Sequence, residues 1–155
     1  MTGQAPAVAP DDLWRSAVTA TLHCLTGCAI GEVLGMVVGT ALGLAAWTTV
    51  ALSVVLAFAF GYALTMLPLR RSGIAWRNAV TIALAADTVS ILVMEVTDNA
   101  VVLAVPGALD AGLASLLFWA SLAFSLVVAF VVTVPVNRAM IARGRGHAVV
   151  HAHHH

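Results

Sequence analysis

Two long apolar blocks dominate the chain. From Ala17 to Leu69 the groups able to carry charge near neutral pH are His23 and Glu32, besides two weakly acidic thiols. That length accommodates two membrane spans of about 20 residues each. A second block runs from about Asn78 to Val136 and is broken at "PGALDAG", Pro106 to Gly112. The pattern predicts four helices, over 17–40, 47–68, 78–104 and 115–136.

Composition sharpens this picture. Hydrophobic residues make up 61% of the 155, charged residues only 9%, and the mean hydropathy is +1.01, far from a soluble domain with about 25% charged residues. The expected fold is an all-α integral membrane protein, a four-transmembrane-helix bundle with both termini cytoplasmic. It divides into an N-terminal cytoplasmic segment (1–14), the transmembrane domain (15–138) and a His-rich cytoplasmic tail (139–155). The first ten residues are polar and proline-containing, and no short apolar segment with a cleavage site precedes the first span, so no cleavable signal peptide is expected.

The basic residues set the expected orientation. All seven are arginines, and they fall before helix 1 (Arg15), between helices 2 and 3 (Arg70, Arg71, Arg77) and after helix 4 (Arg138, Arg143, Arg145). The positive-inside rule makes these segments cytoplasmic. Trp14 and Trp76 then sit at the inner interface, and Trp47 and Trp119 near the outer one. Asp98 and Asp110 lie at the outer end of helix 3 and in the loop beyond, where they would favour cations.

The chemistry concentrates on helices 1 and 3. Helix 1 carries His23, Cys24, Cys28 and Glu32; helix 3 carries Asp87, Ser90, Met94, Glu95, Asp98 and Asn99. Both helices run the same way through the membrane, and at about 1.5 Å per residue Cys24 and Asp87 lie at similar depths, as do Glu32 and Met94. Asp87, Ser90, Met94 and Asp98 share one narrow stripe of helix 3, and Cys24, Cys28 and Glu32 follow one face of helix 1. Ionisable groups inside a membrane are costly and face a bundle interior, a cavity or a partner, so one ladder is expected. Helices 2 and 4, which offer little beyond hydroxyls, read as lipid-facing support. Helix 1 also repeats glycine every fourth residue, at Gly27, Gly31, Gly35, Gly39 and Gly43. Small residues at that spacing admit a second backbone inside the bundle or across a dimer, which would bring helix 1 close to helix 3 or a symmetry mate; the sharper alternative is a hinge or a narrow pore lined by backbone.

Two thiols with an imidazole and a thioether nearby form a soft-metal set. His23, Cys24, Cys28 and Met94 suggest Cu(I) first, with Zn(II) possible where His joins two Cys. The bland alternatives are a pair of small buried hydrophobes and a core methionine. A disulfide within an intact helix is disfavoured, because i, i+4 Cβ atoms sit about 5–6 Å apart whereas a disulfide wants about 3.8 Å. Glu32, Asp87, Ser90, Glu95, Asp98 and Asn99 are the candidate ion path or proton carriers, or else pin helix register. In the tail His147 and His151 are weaker metal candidates, and the terminal His153, His154 and His155 are tag-like.

The stretches "HCLTGCAIGEVLGMVVGTALG", "DTVSILVMEVTDNAV" and "PVNRAMIARGRGHAVVH" resemble the small bacterial four-span membrane proteins grouped as domain of unknown function 4396. The resemblance covers the chain from about Trp14 onward. It implies the four-span fold, a bacterial inner membrane and the importance of these motifs, and it brings no activity with it. The functional expectation therefore rests on side chains: a transporter or channel for a transition-metal cation, most simply Cu(I), working in the lipid bilayer and plausibly as a homo-oligomer. The alternatives are a membrane thiol-redox protein using Cys24 and Cys28, a haem-binding variant using His23, and a non-catalytic assembly subunit. No phosphate-binding glycine loop, GxSxG elbow or HExxH motif points to an enzyme, and a net charge of +0 offers nothing to nucleic acid.

Overall fold

The computed structural model describes residues 9–143, which form four helices and, within that range, no strand. They are α1 (Pro10–Ala41), α2 (Ala46–Arg71), α3 (Trp76–Ala104) and α4 (Leu116–Ala142). Each is long and apolar enough to cross a membrane. The candidate tail ligands His147 and His151 lie outside the described residues.

The helices overrun the apolar blocks that predicted them. α1 starts at Pro10 instead of 17, with proline in its first turn and Asp11 and Asp12 beside it. Proline is preorganised there, and acidic groups complement the helix N-terminus. α1 therefore extends into the segment read as a separate N-terminal region. α4 continues through Pro135 to Ala142, past the expected end at 136 and the domain boundary at 138. Apolarity marks the part of a helix that lipid would surround, whereas the backbone ladder continues into polar sequence. With 32 residues, α1 is about 48 Å long, well beyond the ~30 Å of a hydrocarbon core.

Two turns close with the same device. Gly43 (φ +63°) and Gly73 (φ +86°) end α1 and α2 in the left-handed region. Leu44 N–H donates to Gly39 O (2.9 Å) and Ile74 N–H to Leu69 O (3.2 Å), the outer bond of a Schellman cap. Ile74 also packs on buried Leu69. Gly43 is thus a helix terminator, and the expectation that it packs helices is corrected: no atom lies within 4 Å of where its Cβ would stand.

Helices adjacent in sequence are neighbours in space and antiparallel, while α1 and α3 meet parallel across the bundle's diagonal. The glycine stripe joins α1 to α2, not to α3 or a symmetry mate. Gly27 faces Gly61, Gly31 faces Ala57, Gly35 faces Ser53 and Gly39 faces Thr49, each step of four along α1 matched by four back along α2. A Cβ on Gly27 would stand 2.8 Å from the Gly61 Cα. The reason is in α2 itself, whose buried residues Thr49, Ser53, Ala57, Gly61 and Thr65 form a complementary stripe of small side chains. In lipid, such close approach is a main source of helix association. The large apolar groups Val55, Val96, Phe124 and Val131 point outward.

Candidate functional site

The core holds polar groups from one end to the other. Thr21, Cys24, Cys28 and Glu32 of α1 are buried, as are Asp87, Ser90, Met94, Glu95 and Asp98 of α3. Their spacing of three and four keeps each set on one helix face, and the diagonal contact brings the two faces together. The rungs can be named. The Cys24 thiol donates to Asp87 Oδ1 across 3.9 Å, Cys28 faces Glu95, and Glu32 faces Asp98. Cys24, Cys28 and Met94 pack in one cluster with Ile91, Ala57 and Ala129.

His23 stands apart from this cluster. One residue before Cys24, it is rotated about 100° around α1, is half-buried and hydrogen-bonds the backbone of Leu64 on α2. Among the described residues no three of His, Cys, Asp and Glu converge as ligands of one ion. Of the soft-metal set, the structure therefore brings together Cys24, Cys28 and Met94, and turns His23 elsewhere.

Helices α2 and α4 do more than face lipid, which corrects the expectation from sequence. The Ser125 hydroxyl donates to Asp98 Oδ1, and Ser53 donates to the Glu32 carbonyl (3.4 Å). Tyr62 and Thr88 share a hydrogen bond of 2.7 Å between α2 and α3. Asn137 was missed because it lies just beyond the expected end of helix 4. Its amide nitrogen donates to Thr21 Oγ1 (2.9 Å), its oxygen accepts from the Ser90 hydroxyl, and Thr21 donates onward to Ala17 O (2.7 Å). Ser90, about one turn along α3 from Asp87 toward the cavity, is thus held in a satisfied network tying α1, α3 and α4 together.

At the opposite end a cavity of about 240 Å³ opens among all four helices beneath the 105–115 loop. Glu32, Glu95, Asp98 and Asn99 lie along it, with Asp110 in the overlying loop. Asn99 donates to the Glu95 carbonyl (2.8 Å) and reaches Glu95 Oε2 (3.5 Å). Neither oxygen of Glu32, nor Oε1 of Glu95, has a hydrogen-bond partner. The two ends of the bundle differ in charge. Arg15, Arg70, Arg71, Arg77, Arg138 and Arg143 all lie at the end opposite the cavity, where Arg138 stacks 4.7 Å over the Trp14 ring.

Four long apolar helices closed around a polar interior are those of a multi-pass membrane protein. The chain belongs to the family described as Domain of unknown function (DUF4396), whose model matches residues 13–146. No curated protein matches the chain, and no solved structure does.

Proposed function

We propose that the chain handles cations in a membrane, as a transporter or channel for a transition metal, with Cu(I) the cargo ahead of Zn(II). The observation that carries this reading is the meeting of Cys24, Cys28 and Met94 in one buried cluster between α1 and α3. Two thiols and a thioether are donors for a soft monovalent ion. Zn(II) calls for more donors, and His23, the nitrogen that would join them, is engaged with α2. Carboxyl groups flank the cluster on both sides, Glu32, Glu95 and Asp98 toward the cavity and Asp87 toward the arginines. A cation at the cavity mouth would meet Asp98, then Glu32 and Glu95, then the sulfur layer, then Asp87. The Thr21–Asn137–Ser90 network crosses the interior at the level of Asp87 and would have to part for passage in either direction.

The arginine asymmetry and the two tryptophan pairs support an orientation with termini in the cytoplasm and the cavity facing out, in a bacterial inner membrane. Four helices enclose little space, which favours a homo-oligomer. The test is an anaerobic competition titration of Cu(I) and Zn(II) against detergent-purified protein, comparing wild type with the Cys24→Ser, Cys28→Ser double variant. Tight stoichiometric Cu(I) binding that vanishes in the double variant is expected. Liposome flux assays on Glu32→Gln and Asp87→Asn variants would then separate transport from storage. Equal binding by wild type and double variant would remove the sulfur site and with it Cu(I) as cargo.

A further inference from the structure

The cavity beneath the 105–115 loop has features that a path for a bare metal ion does not explain. Its floor is acidic, and among the described residues no basic side chain lines it. Glu32 is only 7% exposed and Glu95 3%. Donors already reach Asp98, from Ser125, and Glu95 Oε2, from Asn99. Both oxygens of Glu32 and Oε1 of Glu95 have no hydrogen-bond partner in this geometry, and the groups that face these two side chains are the Asp98 carboxyl and the Cys28 thiol. A buried acceptor without a donor costs the full desolvation of that group, so a ligand that brings donors would stabilise this floor. Above it the wall is largely apolar, with Met36, Val50, Val102, Leu109, Phe118 and Leu122 beside a few hydroxyls such as Thr49 and Ser121.

We propose that this cavity is a binding site for a small organic ammonium ion, its N–H groups on Glu32 and Glu95 and its hydrocarbon part against Phe118 and the aliphatic wall. Among the described residues the carboxyl groups do not form a set of three placed to hold one metal ion, which suits a cation offering several N–H bonds in different directions and no acceptor. Apolar walls with a few placed polar groups are the general form of a small-molecule site. At about 240 Å³ the cavity falls below the ~300–1,000 Å³ of drug-sized sites, so the ligand is small. Asp110 in the loop above adds negative charge at the approach, which favours cations there. The site does not require the sulfur cluster, and it stands or falls separately from Cu(I) transport.

The probe is benzylammonium chloride, titrated calorimetrically into the detergent-purified full chain, with benzyl alcohol and sodium chloride as references. Saturable binding of benzylammonium, not matched by either reference at equal concentration, is expected. In the wild-type chain the amine should also protect Glu32 from labelling by an apolar carbodiimide. Glu32→Gln should weaken binding at least tenfold, while the Cys24→Ser, Cys28→Ser variant, whatever it does to Cu(I), should bind the amine as wild type does. The proposal is overturned if benzylammonium does not saturate, if benzyl alcohol or sodium chloride gives the same response, or if Glu32 labels equally at saturating amine. The labelling experiment uses only wild-type protein, so a folding defect in the Glu32 variant cannot mimic or mask its result.

Discussion

Replacing Gly31 by alanine pits helix propensity against packing, and the two predict opposite signs. Propensity alone favours alanine over glycine in a helix interior by about 0.8–1.0 kcal/mol. Packing opposes it. An added Cβ at Gly31 would come within 2.6 Å of the Leu56 carbonyl carbon, and closer to the backbone of Ala57, where carbon atoms normally rest at about 3.5–4.0 Å. The obstructing atoms are backbone, so relief requires α1 and α2 to separate by about an ångström, undoing contacts along the whole stripe. Overpacking of this kind costs about 1–3 kcal/mol, and a net loss of up to about 2 kcal/mol is expected after the propensity gain is subtracted. Reversible unfolding in mixed micelles with increasing SDS, followed by circular dichroism, measures it. Two double variants sharpen the test. Trimming Ala57 to glycine should not rescue Gly31→Ala, because the clash is with main chain. Thr49→Gly should partly rescue Gly39→Ala, because there the nearest atoms are the Thr49 side chain at 2.5 Å. A Gly31→Ala protein more stable than wild type would refute the assigned α1–α2 contact.

Three further outcomes follow from the same geometry. Asn137→Leu removes both bonds of the Thr21–Asn137–Ser90 network and should cost about 1–2 kcal/mol in the same assay; an unchanged midpoint would show that the network does not hold α4. Cys24 and Cys28, 1% and 0% exposed, should resist a water-soluble maleimide in the folded protein and both react in SDS, with no intramolecular disulfide after mild oxidation. Rapid labelling in the native state would place the thiols at an open surface instead. Gly43→Ala should lose about 1 kcal/mol through its positive φ although nothing crowds it, whereas Gly112→Ala, with equal room and no such backbone, should be neutral.

The four helices were legible because lipid demands long apolar runs, and their ends were not, because polar turns such as Pro10–Asp12 and Asn137–Ala142 are helical for local and tertiary reasons. The α1–α3 rungs were legible from spacing: Cys24, Cys28 and Glu32 on one face, Asp87, Met94 and Asp98 on another. What the glycines touch was not read correctly, although the signal was there. Thr49, Ser53, Ala57, Gly61 and Thr65 repeat at the same interval as Gly27 to Gly39, and small residues on two consecutive helices are most simply each other's partners. Asn137 escaped because a boundary drawn on hydropathy stops just before it. The direction in which His23 turns depends on a rotation of about 100° that adjacency in sequence does not convey.

The matched stripes of α1 and α2 carry an ambiguity of their own. Because both repeat every four residues, sliding one helix along the other by a single period, about 6 Å, sets every glycine opposite the next small residue, with a different member of the glycine, alanine, serine and threonine stripe facing it. Close packing therefore fastens the pair sideways more firmly than lengthwise. The short turn from Leu42 to Ala45 opposes such a slide, since so few residues cannot absorb it, and through it the alignment of Glu32 with the cavity is held by a loop whose Leu44 lines the cavity itself.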